Sequence, residues 1–169
     1  MPTFEPETDH AAVLRRELRQ SRPFRSESQE AVIALMRTAS VVGRSVARVV
    51  EPHGLSLAQY NVLRILRGAG TDGLPTLAIR DRMIEEGSTV TRLLDKLEAA
   101  ALVERSRCQP DRRQVLCSIS ARGLALLATL DPQIAAAEDA AISALDSATI
   151  GQFIECLGRV RAGCRPTDR

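Results

Sequence analysis

Tryptophan is absent from this 169-residue chain, and Phe4, Phe24, Tyr60 and Phe153 are its only aromatic residues. Single-stranded nucleic acid is gripped by stacking bases on several exposed rings, so that class of binder is excluded. Histidine occurs only as His10 and His53, and Cys108, Cys117, Cys156 and Cys164 form no CxxC pair. Without a metal-ligand spacing no metal is expected, and the cysteines read as reduced thiols of a cytoplasmic protein. No apolar run is long enough to span a membrane. The start, MPTFEPETDH, is acidic and lacks the apolar stretch of a secretory signal. A Gly-rich phosphate loop and a Ser–His–Asp set are missing as well, so neither an enzyme nor a cofactor is expected. Glu85 and Glu86 are paired only in sequence, in a turn, and read as solvated.

Lysine is nearly missing: Lys96 is alone among 23 basic residues, and the others are arginine. Most of that bias suits an arginine- and alanine-rich genome, although arginine also serves phosphate and base-edge contacts better than lysine. The formal net charge is only +2, yet its distribution is uneven. Arg15, Arg16, Arg19, Arg22 and Arg25 face Glu17 alone in 11–25; Arg105, Arg107, Arg112 and Arg113 face only Asp111 in 105–113. Residues 123–158 then contain no base but hold Asp131, Glu138, Asp139, Asp146 and Glu155. A basic end opposite an acidic one is the footprint of a module that presents one face to a polyanion.

Periodicity orders the chain. A short amphipathic helix carrying the arginines of 15–25 precedes Pro23, and a long helix is predicted over 27–51, ending before Pro52. Ser56-Leu57-Ala58-Gln59 is a capping box that starts a second helix, ending near Arg67. Thr76 is expected to cap a third to about Met83, and Ser88 a fourth to about Ala100. Two short helices joined by a Gly-containing turn read as helix-turn-helix. The period then switches to two: strands are predicted at 102–108 and 115–119 around the polar tip 109–114. Ser120 caps a long helix to about 145, with Pro132 expected to kink or break it, and Asp146 or Ser147 starts the last. The predicted fold is mainly α (α+β): a winged helix-turn-helix with a two-stranded β-wing, flanked by N- and C-terminal helices.

The chain at 57–127 resembles the MarR-type transcriptional regulators. The carrying segments are Leu74-Pro75-Thr76-Leu77-Ala78, Ser88-Thr89-Val90-Thr91-Arg92-Leu93-Leu94-Asp95-Lys96-Leu97-Glu98, Leu102-Val103-Glu104-Arg105, Asp111-Arg112-Arg113, and Ser118 through Gly123. The resemblance implies a sequence-specific binder of double-stranded DNA, acting as a homodimeric repressor on a pseudo-palindromic operator and released by a small lipophilic or phenolic ligand. It implies recognition-helix contacts from Ser88, Thr89, Thr91, Arg92 and Lys96, and wing contacts from Arg112 and Arg113, with Asp111 holding Arg113 by an ion pair. One position departs from the pattern. Ala101 stands where the family usually has a glycine for a left-handed helix end.

Several readings stay open. Ser88 and Thr91 could act as caps as well as contacts. Arg105 and Arg107 are candidates for phosphate contact, or they guard an edge strand against pairing. Ile150, Phe153, Ile154, Leu157 and Val160 form an apolar stripe expected at the dimer interface. His53 and Tyr60 can line a ligand pocket, although a core role is preferred. Cys108 and Cys117 are expected to be cross-strand neighbours, close enough for a disulfide, with the inert reading preferred. The expected organisation is an N-terminal extension (1–26), one MarR-like domain (27–162) with its DNA-binding lobe at 55–122 and dimerisation helices at 27–51 and 123–162, and a tail (163–169). The alternatives are a winged-helix protein-interaction module without DNA binding, or a thiol-based redox-responsive regulator.

Overall fold

The computed structural model describes residues 9–84, 89–107 and 115–164. It divides into two compact units, 1–44 and 45–169, and the division falls inside a helix.

The first unit holds α1 (Asp9–Glu17) and most of α2 (Glu27–Val50). The predicted arginine-bearing helix stops early. Arg19 takes φ 53°, and the bonds from Arg19 N to Arg16 O (3.1 Å) and Gln20 N to Arg15 O (2.9 Å) close the helix end around it. Arg22 and Arg25 therefore lie outside α1. Glu17 is held by Arg37 Nε at 2.9 Å. α2 begins with Glu27 and Glu30, which suit the positive end of the helix dipole. Val32, Met36, Val41 and Val42 on it are exposed.

The second unit is built around α3 (Leu57–Ala69). The capping box forms as the sequence requires: Ser56 Oγ accepts from Gln59 N at 3.2 Å, and Gln59 Oε1 accepts from Ser56 N at 2.9 Å. Leu63 and Leu66 of α3 meet Ile79 of α4 (Thr76–Arg80), Leu94 and Leu97 of α5 (Val90–Ala99) and Leu127 and Leu130 of α6 (Ala121–Ile142) in one core. Val46, Val49 and Val50, at the end of α2, pack into the same core.

The sheet has three strands where two were expected. β1 (Leu74–Pro75) joins β2 (Val103–Arg107) and β3 (Val115–Ile119) in the order β1-β3-β2, all antiparallel. Two residues, one of them proline, carry no periodicity that sequence inspection could detect. Gly73 makes the approach possible: its φ is 69°, and a Cβ there would stand 2.9 Å from the Cys117 carbonyl oxygen.

Three other expectations are corrected. Thr76 does not cap α4; Pro75 occupies the N-cap position, and no side chain caps the helix there. α4 also ends at Arg80, with Arg82 and Met83 continuing as tight turns onto Ile79 and Arg80. Pro132 does not break α6, which runs through it. An internal proline costs about 3 kcal/mol, while burying Leu130 and Ile134 on either side returns about 1.5–3 kcal/mol each. α7 (Ser147–Gly163) starts on Asp146, whose carboxylate accepts from Thr149 N at 2.8 Å; the Thr149 side chain first and this backbone N–H second hold it below the usual carboxylate range.

Candidate nucleic-acid interface

α5 presents three different sectors. Val90, Leu94 and Leu97 are buried in the core. Asp95 and Glu98, one turn apart, receive a guanidinium from the sheet. Thr91, Arg92 and Lys96 are exposed, as is Thr89 at the N-cap position. The first turn carries no acidic residue, so its free N–H groups meet an incoming anion without local repulsion. Thr89 makes no side-chain capping bond, and Ser88, expected as the cap, lies outside the described residues.

The segment that follows α4 is held at Ile84 by a residue that the sequence reading missed. Asn61, buried in the middle of α3, accepts the Ile84 N–H through Oδ1 at 3.0 Å. A single Asn within an apolar helix face is the only signal that could have found it. Burial of an amide without partners is costly, so such a residue has a structural task.

The far end of α5 closes as a Schellman motif on a left-handed alanine. Ala101 has φ 57°, Leu102 N reaches Leu97 O at 2.9 Å, and Ala101 N reaches Glu98 O at 2.8 Å. The departure from glycine thus leaves the turn intact. Its strain is held by Ser120, whose Oγ donates to the Ala101 carbonyl at 2.8 Å and accepts from Gly123 N at 3.0 Å. A left-handed alanine costs about 1–2 kcal/mol, and glycine's greater freedom when unfolded cancels about 0.4–1 kcal/mol of any relief. Ala101→Gly is therefore expected to stabilise the fold by about 0.5–1 kcal/mol, seen as a rise of a few degrees in thermal melting.

The wing is described only at its root. Asp111, Arg112, Arg113 and Cys108 lie outside the described residues, and the structure gives the backbone of Arg107 but not its side chain. Arg105, considered above as a phosphate contact, is already engaged: NH2 meets Asp95 Oδ1 at 2.7 Å and NH1 meets Glu98 Oε2 at 2.9 Å. The bond to Asp95 raises its pKa, so it stays charged. The periodicity that predicts the strand also holds the clue, because Arg105, two residues from buried Val103, shares its face of the strand and so points toward the helix.

The register also overturns the cysteine pairing. Cys117 lies opposite Arg105 and between it and Leu74, so Cys108 is not its cross-strand neighbour. Symmetry about the tip gave the wrong register; Val103 pairs with Ile119 and Arg107 with Val115. Cys117 is fully buried, and that burial pushes its thiol pKa up against the opposing bonds from Arg105 and Thr76. It is a protonated core thiol.

A cleft of about 530 Å³ opens beside α5, lined among others by His53, Gln59, Lys96, Leu97, Arg122 and Leu126. Lys96 is thus on the cleft rim as well as exposed. Tyr60 is instead a core residue: it is buried, which raises its pKa, and the Arg64 guanidinium carbon lies 5.8 Å from its ring centroid. On α7, Phe153, Ile154 and Val160 are exposed, Ile150 and Leu157 are half-buried, and no residue of the helix is buried. Among the described residues, no helix is long and apolar enough to cross a membrane.

This layout can be set against known proteins. The MarR family's sequence model matches residues 55–115, from two residues before α3 to the first residue of β3. The crystal structure of a MarR transcription factor from Planctomyces limnophilus is 31% identical, with a TM-score of 0.62, over 80% of this chain and 98% of that one. The chain belongs to the MarR family. It is accordingly a DNA-binding, helix-turn-helix transcriptional regulator. The regulator MhqR of Bacillus subtilis (strain 168) is 29% identical to it over 134 residues, 79% of this chain and 91% of MhqR. CouR from Rhodococcus jostii RHA1, solved bound to p-coumaroyl-CoA, shares the fold at 23% identity and a TM-score of 0.69, over 86% of this chain and all of CouR.

Proposed function

We propose that this MarR-family regulator is a repressor that binds a pseudo-palindromic operator as a homodimer and is released by a small ligand. In this reading 27–162 is one MarR-like domain whose lobe, 55–122, docks α5 in the major groove. Ser88, Thr89, Thr91, Arg92 and Lys96 meet the DNA from the helix. Arg112 and Arg113 meet it from the wing, with Asp111 steadying Arg113. The observation that carries the reading is the division of α5: one sector is buried, one is tied to the sheet, and a third leaves Thr91 and Arg92 free in the solvent. A helix fits the major groove, and an arginine on its exposed face can pair with guanine O6 and N7.

Ligand release is supported by the cleft. Its charged lining is cationic at neutral pH, from Lys96 of α5 and Arg122 of α6, and Leu97, Leu102 and Leu126 add apolar surface. A phenolic or other lipophilic molecule with an anionic group fits that chemistry. A ligand there would touch the recognition helix directly, and it would weaken operator binding to the extent that it prefers the DNA-free arrangement. The structural neighbour CouR, bound to p-coumaroyl-CoA, is consistent with such a site in this fold.

The test is a gel shift on intergenic DNA containing an inverted repeat, at rising salt. Phosphate contacts give a steep loss of affinity with salt, and a protein-interaction module gives no shift. Arg92→Ala is expected to cost about 1–3 kcal/mol on the operator while leaving random DNA nearly unaffected. An equal loss on both DNAs would make Arg92 a phosphate contact without a base-reading role.

A further inference from the structure

α6 changes its surroundings along its length. Gly123, Leu127, Leu130 and Ile134 are buried, and no residue from there to Ile142 is. The change comes beside Pro132, on the turn where the helix is weakest. Proline has no N–H, so the Ala128 carbonyl, four residues back, lacks its helical partner. Ala128 and Pro132 are both exposed, so water can meet that carbonyl while the turn bends. The Thr129 hydroxyl donates back to the Ala125 carbonyl at 3.1 Å, a bond that also favours bending. Next to the proline, Asp131 Oδ2 meets Arg67 NH1 of α3 at 2.7 Å. Among the described residues this is the only ion pair from α6 to another element. We propose that the turn 128–132 is a hinge and the Arg67–Asp131 pair its latch, so that both residues determine the half-site spacing the protein accepts.

The pair suits a latch better than a brace. The Arg67 and Asp131 side chains are 37% and 47% exposed, and exposed ion pairs add little to folding. Direction is another matter. Ile134 is buried beyond the proline, but an apolar contact is non-directional and tolerates a small tilt. A short charge-assisted hydrogen bond has a preferred geometry and resists it. Pro132 lies about 15 Å from the end of α6, so a tilt of about 10° there moves that end by about 2.6 Å. In a symmetric dimer both heads shift, and their separation changes by up to about 5 Å, more than the roughly 3.4 Å of one base-pair step. Loss of one exposed ion pair would thus leave the fold standing and release the spacing.

The inference rests on the reading of the protein as a dimer on an inverted repeat, and the test separates the two. Affinity is measured on the inverted repeat and on versions with one base pair added or removed between the half-sites, with melting curves to confirm folding. The unaltered protein should bind the altered spacings about tenfold or more weakly, since one step displaces and rotates a half-site. In Arg67→Gln and in Asp131→Asn that difference should shrink below about threefold, with melting nearly unchanged. Pro132→Ala gives the Ala128 carbonyl its partner back, so adding it to Asp131→Asn should restore the discrimination. Undiminished discrimination in both single variants would overturn the latch while leaving the dimer reading intact. Discrimination lost in Asp131→Asn and not restored by Pro132→Ala would overturn the hinge. An unaltered protein indifferent to spacing would overturn the dimer reading and the proposal with it.

Discussion

Gly123→Ala is expected to be the most damaging single-methyl change among the described glycines. A Cβ at that position would run into the Leu102 carbonyl oxygen and stand 2.7 Å from Ile119 Cγ1. The first obstacle is backbone, held in turn by the Ser120 N–H at 3.0 Å, so it cannot swing aside. Overpacking costs about 1–3 kcal/mol where side chains can yield, and the rigid carbonyl puts this site at about 3 kcal/mol or more. For a chain of this size that corresponds to a fall of roughly 6–12 °C in melting temperature. Gly151→Ala is the control, because nothing lies within 4 Å of a Cβ there. Similar melting of both variants would show that α6 can shift, and that the junction is looser than it looks.

The largest functional loss is expected from making α7 polar. The proposed dimer needs apolar surface, and the second half of the chain has it. Beyond Ile134 no residue of α6 is buried, and none of α7 is. Phe153, Ile154 and Val160 are 40%, 60% and 46% exposed. Covering what they expose is worth about 2–4 kcal/mol per protomer, taking about 1.5–3 kcal/mol for a whole side chain. Phe153→Asp with Ile154→Asp removes that gain and would place charges in the contact. The variant should sediment as a folded monomer, and its operator affinity should fall by about 10²–10⁴, the advantage of two linked half-sites. Deleting residues 147–169 should do the same or cause aggregation. A double variant that stays dimeric and binds tightly would place the interface elsewhere.

The parts of the fold legible in the sequence are those decided locally. Ser56 and Gln59 cap α3 through bonds spanning three residues, and Ser120 caps α6 in the same way. The recognition-helix core follows from Val90, Leu94 and Leu97 at helical spacing. What escaped depends on distant partners. β1 exists because β3 offers it an edge, the hairpin register answers to Val103 beneath α5, and Arg105 takes its role from acids seven and ten residues away. The candidate contacts Thr89, Thr91 and Arg92 were readable by resemblance, and the structure adds their exposure. Asn61 bonds Ile84, 23 residues on, and the cleft draws on the turn before α3, on α3, α5 and α6 together, so no short sequence window contains either.

Ser120 belongs to two elements at once. It opens α6, and through its amide and its hydroxyl it is fastened to the Leu102 and Ala101 carbonyls that close α5. The reading head therefore has no swivel of its own at this joint. In the proposed dimer, the distance between the two heads becomes a property of the frame that carries α6, like the fixed gauge of an axle. A regulator built this way should change operator spacing through substitutions remote from DNA, in the long C-terminal helices. Changes on α5 would alter which bases are read while leaving their separation untouched.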